Sequence, residues 1–236
     1  MDGFELFLLS VEMGAEIIRN GGEINRAKDT VTRINRVRNE DCAVFALPDL
    51  IMVQSGKNFL MRKIGSRTLD MAELDRLNSL SRRICRGESR DIEITLQSGY
   101  SRKTVLLFSG IAVFLFCLFF GGSVIDSLIA GVTGCLITAA PYRRSGLPTF
   151  TANLIDAFVV GVLSQLFALI NAGIHGDRII IGAIMVLVPG LNIQSAMRDM
   201  LSGEILAGAS ELIESVMSAL AIALSVALSL FIFKYL

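Results

Sequence analysis

The chain has 236 residues, no net formal charge at pH 7 and a single histidine, a length that suits one large domain or two smaller ones. Of its 22 Lys and Arg, 17 precede Val105 and 5 follow it, while the 22 Asp and Glu divide 15 and 7, so the two parts are made for different solvents. A uniformly basic surface able to hold a polyphosphate chain is excluded, and nucleic acid is not an expected partner.

The start, Met1-Asp2-Gly3-Phe4-Glu5, has no basic segment ahead of an apolar run and no small-residue cleavage site. It does not read as a signal peptide, and the front part is expected to stay in the cytosol. Phe4, Leu8, Val11, Ala15 and Ile18 recur at helical spacing, as do Ile24, Ala27, Val31, Ile34 and Val37. This predicts two amphipathic helices joined at Gly21-Gly22. Apolar runs from Cys42 to Leu47, from Leu50 to Val53 and from Asn58 to Ile64 are separated by Pro48-Asp49 and Ser55-Gly56-Lys57, which predicts a small β-meander. Asp70 opens a third helix with Leu74, Leu77, Leu80 and Ile84, and Met71 at its start, along one stripe.

Glu16, Arg19, Glu23 and Arg26 flank the Gly-Gly break at three-residue spacing. They form either a coupling or effector site or a solvated face with local ion pairs. The lone His175 lies far along the chain, so no Ser-His or Cys-His relay can be assembled in this front part and an enzyme is not expected. Cys42, Cys85, Cys117 and Cys135 contain no C-x-x-C pair. They read as four reduced thiols, with neither a metal site nor a cofactor.

Beyond Arg102-Lys103 five apolar stretches approach the length that a bilayer requires: Thr104 to Phe120, Ser123 to Ala140, Phe150 to Ala172, Ile179 to Met200 and Leu212 to Tyr235. The expected fold is an α-helical membrane protein, with a small cytoplasmic α/β domain over residues 1–103 and a five-helix transmembrane domain over 104–236. With the front part inside, Arg102, Lys103, Arg143, Arg144 and Arg198 are inner positions, and only Arg178 and Lys234 are outer. This satisfies the positive-inside rule and places the C-terminus outside a multi-pass cell-membrane protein.

In the last stretch Ser215, Ala219, Ala223 and Ala227 repeat every four residues, with Ala221, Ser225 and Ser229 as a second row. Such small residues predict close helix packing and carry no function by themselves.

Polar groups in these stretches identify candidate functional residues. Pro189 lies about 15 Å along the fourth stretch, where it withholds an N–H from Met185, and Gly190 adds freedom beside it. Asn192 and Gln194 offer amides just beyond. The segment is either a midplane substrate or gating site of the broken-helix type or a plain proline kink. Asn153 and Asp156 share a helix face, with Asp156 roughly 9 Å inside the boundary. There Asp156 is either a proton-coupling group or an interfacial carboxylate. Asp126 is a second candidate for proton coupling, although Ser123-x-x-Asp126 also reads as a helix-capping signal. Asp199, Glu204, Glu211 and Glu214 are expected to be solvated at the inner end.

Taken together, Gly21-Gly22-Glu23-x-x-Arg26, Asn78-x-x-Ser81-Arg82, Gly121-Gly122 with Asp126, Pro148-x-Phe150-x-x-Asn153, and Val188-Pro189-Gly190 leading to Asp199-Met200-x-x-Gly203 resemble the N-terminal half of the threonine/serine exporter family. The resemblance is to the type whose two halves are separate proteins, and it covers nearly the whole chain. It implies a cytoplasmic N-domain followed by five spans, and export of threonine and serine in some members or of a dicarboxylate such as succinate in others. It also implies a small membrane partner subunit carrying the second set of spans. No phosphate-binding G-x-x-x-x-G-K-[ST] loop is present to couple ATP, so a secondary transporter driven by a proton or substrate gradient is the expected function. A membrane-anchored ligand sensor or regulatory protein is the alternative.

Overall fold

A computed structural model describes residues 3–37, 41–65, 67, 69–87, 100–140 and 147–235. The expectations attached to Met1, Asp2, Pro141, Arg143 and Arg144 therefore concern residues outside this set. In chain order the elements are α1 (Gly3–Arg19), α2 (Ile24–Arg36), β1 (Cys42–Leu47), β2 (Leu50–Ser55), β3 (Asn58–Lys63), α3 (Met71–Cys85), α4 (Arg102–Phe119), α5 (Val124–Ala139), α6 (Thr149–Ile170), α7 (Gly176–Ile184), α8 (Gly190–Leu201) and α9 (Ile205–Lys234). They form two compact units, one of residues 1–99 and 191–212, the other of residues 100–190 and 213–236.

In the first unit β1, β2 and β3 form an antiparallel meander. Pro48-Asp49 and Gly56-Lys57 make the two tight turns, and Leu47 pairs with Leu50 as Ser55 does with Asn58. Alternation along β2 buries Ile51, Val53 and Ser55. The first two join Phe7, Val11, Ala15, Ile18, Ile24, Val31, Leu74 and Leu77 in the core. Asp70 caps α3 by accepting the N–H groups of Ala72 and Glu73, each at 3.1 Å.

Two sequence expectations need correction here. Leu6 and Phe7 are buried in α1 while Phe4 and Leu8 are exposed, because this helix packs against α2, α3, β2 and β3 at once and is covered over most of its girth. Met71 is likewise exposed and does not belong to the α3 stripe.

Every element among the described residues of the second unit is a helix. Its core joins Val113 and Cys117 of α4, Ala130 and Ile137 of α5, Ala157 and Val160 of α6, Ile179, Ile180 and Ala183 of α7, and Ile222 of α9. The short α7 packs on α4, α5 and α6. A Cβ built on Gly182 would lie 2.7–2.8 Å from the Cβ, Cα and N of Cys117, so only glycine permits this approach. On α9 the buried seam is Ser215, Ser218, Ala221, Ile222, Ser225 and Ser229, and Ala223 and Ala227 of the expected first row are exposed.

Among the described residues three helices are long and apolar enough to cross a membrane: α4 with 18 residues, α6 with 22 and α9 with 30. The apolar α5 is shorter, at 16 residues, or about 24 Å. The fourth apolar stretch is not one helix. It is divided into the 9 residues of α7 and the 12 of α8, about 14 and 18 Å long, with Met185–Pro189 between them. The last helix exceeds the expected span because its first turns, Ile205 to Leu212, belong to the first unit; the remainder rises about 33 Å, close to the hydrocarbon thickness.

Candidate functional site

The interruption begins before the proline. The carbonyl of Ile184 accepts the N–H of Leu187 at 2.8 Å and of Val188 at 3.1 Å, and Gly190 donates to the carbonyl of Val188 at 2.8 Å. The Val188 bond still spans four residues as in a helix, while the Leu187 and Gly190 bonds close tighter turns of three and two residues, and Pro189 has no N–H to return to Met185. Leu187 is buried in the core of the second unit, whereas Met185, Val186 and Val188 are exposed. Gly190 starts α8, and a Cβ there would meet nothing within 4 Å. Its lack of a side chain therefore serves no packing need.

Of the two candidate residues on α6, Asn153 is 6% exposed and Asp156 is 0% exposed. They share the buried face with Ala157, Val160, Gly161 and Ser164, and the carboxylate is not an exposed interfacial one. An amide that can both donate and accept, followed one turn later by a group that can carry a proton, is thus set into the buried face of a largely apolar helix. Asn192 and Gln194 are exposed on α8 and belong to the first unit, whereas Asn153, Asp156, Pro189 and Gly190 belong to the second.

Asp126 is fully committed. Its Oδ2 accepts the N–H of Ser123 at 2.9 Å and lies 3.1 Å from His175 Nδ1, its Oδ1 accepts the N–H of His175 at 3.0 Å, and its own N–H donates to Ser123 Oγ at 3.1 Å. One buried carboxylate therefore completes the capping box of α5 and also caps α7, whose N-cap residue is His175. This ties the Gly121-Gly122 corner to the start of α7. His175 keeps half of its side chain exposed, 51%, beside that carboxylate.

The two Gly-Gly corners share one backbone geometry and differ in how the next helix is capped. Gly21 and Gly121 have φ of 79° and 80°, and in each corner the following glycine donates to a carbonyl five residues back, Gly22 to Ile17 and Gly122 to Cys117, at 2.8 and 2.9 Å. After the second corner Ser123 caps α5. After the first, Glu23 makes no side-chain cap. The N–H of Ile24 instead donates to both carboxylate oxygens of Asp199, at 3.1 and 3.3 Å, and Asn25 also donates to this carboxylate.

Asp199 is 1% exposed, which overturns the expectation of a solvated residue. Burial pushes its pKa up, opposed by the two N–H donors and by Arg67 and reinforced by Glu23. Around it Arg198 pairs with Glu23 and Lys28 with Glu204, while Arg67 pairs with Glu211 at 3.1 Å. Glu211 is also buried, and Glu204 is paired and half-buried; of the four acidic residues expected in solvent, only Glu214 is exposed. Glu16 is buried and bonded by Arg19 at 3.2 Å, while Arg26 is exposed. The Glu16–Glu23 region is therefore not a plain solvated face. The cluster was hidden because Ile24 and Asp199 are 175 positions apart. The signal that could have revealed it is a helix start, Gly-Gly-Glu-Ile, with no Ser, Thr, Asp or Asn of its own at the cap.

A family model for threonine/serine exporters matches residues 9–233. Comparison with curated proteins and with solved structures gave no match.

Proposed function

The chain belongs to the threonine/serine exporter family, and on that premise we propose that it is a subunit of a secondary transporter that exports small polar metabolites across the cytoplasmic membrane. The family is one of transporters, and the apolar helices make this a membrane protein. Threonine and serine are the first substrates to consider, and a dicarboxylate such as succinate is the second. A small membrane partner supplies the remaining spans. Five spans cross the bilayer, the interrupted one as the fourth and meeting the inner boundary within α8 so that Asp199 lies outside it, with the N-terminal part cytoplasmic and the C-terminus outside.

The observation that carries this reading is the interruption of an apolar stretch over Met185–Pro189 by a turn, between α7 and α8. Backbone groups released in hydrocarbon cost several kcal/mol each unless protein or a wetted cavity receives them. Such breaks are retained where they bind or gate a polar solute. We assign substrate binding or gating to Asn153, Pro189, Gly190, Asn192 and Gln194. Proton coupling is assigned to Asp156, and to Asp126 through its exposed partner His175. A proton taken up by Asp126 would weaken the joint between the α5 corner and α7, which gives this position a mechanical consequence.

The test is efflux of preloaded labelled threonine, serine and succinate from proteoliposomes containing the chain with and without the partner. Saturable efflux of at least one substrate in the paired preparation is expected. Its absence for all three would leave a membrane-anchored sensor as the reading.

A further inference from the structure

The cluster at the start of α2 does more than complete a helix end. We infer that Asp199, with the pairs Arg198–Glu23, Lys28–Glu204 and Arg67–Glu211, is a clasp through which the front part of the chain holds the segment emerging from Pro189-Gly190, so that Asp199 is a positioning residue for the interrupted helix. The inference rests on the exporter reading for its consequence in transport, but the clasp itself stands on geometry.

Four observations support it. Segment 191–212 belongs to the same compact unit as residues 1–99. Every polar tie described above joins that segment to α2, to the corner before it or to Arg67, across 144 residues or more of sequence. The core of the unit takes in Ala207 of α9, and a Cβ on Gly208 would stand 2.5 Å from the carbonyl of Ala196 and 3.0 Å from the N of Met200. Thus α8 and the first turn of α9 pack as one body just beyond the break. Finally, α2 lacks a cap of its own and takes one from α8. A local Ser or Asn at position 23 would cap the first turn through the N–H of Asn25 or Arg26 without an ionisable group being buried.

The groups facing Asp199 are Glu23 from the corner, the N–H groups of Ile24 and Asn25 from α2, and Arg67 from the segment before α3. Its own helix contributes Arg198, turned to Glu23, while Glu204, just ahead of α9, and Glu211 of α9 are held by Lys28 and Arg67. Burial is the largest influence on Asp199 and raises its pKa from the ordinary carboxylate value. The closed clasp therefore holds a proton more readily than an open, hydrated one. Closure is favoured below the ordinary carboxylate value and is progressively weakened as pH rises from there through the raised value. The clasp is thus a proton-responsive tie on the segment that follows the break.

Hydrogen exchange of the full chain in lipid nanodiscs, followed by mass spectrometry and corrected for intrinsic rates, tests this without any substrate. For Asp199→Ala, peptides covering the first turn of α2 and all of α8 are expected to exchange at least tenfold faster, with the β-meander and the end of α3 unchanged. For Asp199→Asn, which keeps an acceptor but cannot titrate, protection is retained and its pH dependence in α8 disappears. Unchanged α8 exchange in Asp199→Ala, or an unaltered pH dependence in Asp199→Asn, overturns the clasp. If Asp199→Ala exposes the whole unit, the Asp199→Asn pH profile alone decides. Flux with the partner then tests the consequence. Lower maximal efflux with unchanged half-saturation in Asp199→Ala supports positioning, and normal efflux with an opened clasp refutes it. Absence of saturable efflux in the wild type would count against the exporter reading and, with it, against positioning, while the exchange result on the clasp would stand.

Discussion

Replacing Gly182 with alanine places a methyl group 2.7–2.8 Å from the backbone N, Cα and Cβ of Cys117. Backbone atoms inside α4 cannot rotate away as a side-chain tip can, so α7 must move off α4 by several tenths of an ångström or more. Overpacking of this kind costs about 1–3 kcal/mol, equivalent to a fall of roughly 2–12 °C in melting temperature for a chain of this size. Gly190→Ala is the internal comparison. No atom lies within 4 Å of the added Cβ, and alanine in place of glycine in a helix gains up to about 1 kcal/mol. Thermal unfolding in one detergent should therefore separate two glycines eight positions apart, with Gly182→Ala well below the wild type and Gly190→Ala at or slightly above it. Efflux should rank the Gly190 variant differently, slowed roughly tenfold, or about 1.4 kcal/mol on the barrier, because the freedom of that position serves movement and not packing. A Gly182→Ala protein as stable as the wild type would refute the described α4–α7 approach, and full efflux in Gly190→Ala would refute a gating role for the freedom of that position.

Pro189→Ala should reduce efflux by about tenfold or more, roughly 1.4 kcal/mol, while insertion and expression, read by membrane immunoblot, stay near wild type. Asp126→Ala leaves the N–H groups of Ser123 and His175 without their protein acceptor and should cost about 0.5–1.5 kcal/mol for each hydrogen bond lost; His175→Ala, which keeps both backbone donors, should cost much less in the same melting assay. Asp70→Ala removes the α3 cap and should cost about 1 kcal/mol, with exchange rising at the start of α3 and not in α6. Because the Asp199 pKa is raised by burial, Asp199→Asn should melt no lower than the wild type at neutral pH. Its advantage should vanish as pH falls to the ordinary carboxylate range, where the wild-type side chain is neutral as well.

The elements most legible in the sequence were those with one buried face. Leu74, Leu77, Leu80 and Ile84 were found at helical spacing because α3 is buried on a single side, and the meander was found because Pro48-Asp49 and Gly56-Lys57 are turn pairs between alternating strands. On α1 the same reasoning misplaced the stripe. A helix covered by neighbours on several sides has no single apolar phase to detect.

On α9 the four-residue row failed for a geometric reason: each such step turns about 40° around the helix, so Ala223 and Ala227 drift out of the seam. Steps of three and four combined, as from Ser215 to Ser218, Ile222, Ser225 and Ser229, hold it. For the candidate site, Pro189-Gly190 announced the break directly, and Ser123-x-x-Asp126 announced a cap. That Asp126 also caps α7, and that Asp199 caps α2, depends on tertiary approach across 49 and 175 positions. Neither spacing nor hydropathy records such an approach, and a lone carboxylate next to an arginine looks solvated until its neighbours are in place.

The most direct measurement places a single thiol at the break. In a chain with Cys42, Cys85, Cys117 and Cys135 replaced, Gly190→Cys is reconstituted with the partner and treated with a membrane-impermeant thiol reagent in the presence and absence of threonine and serine. The account predicts that modification abolishes saturable efflux and that saturating substrate slows the modification. Complete modification at a rate indifferent to substrate, with efflux intact, would contradict it.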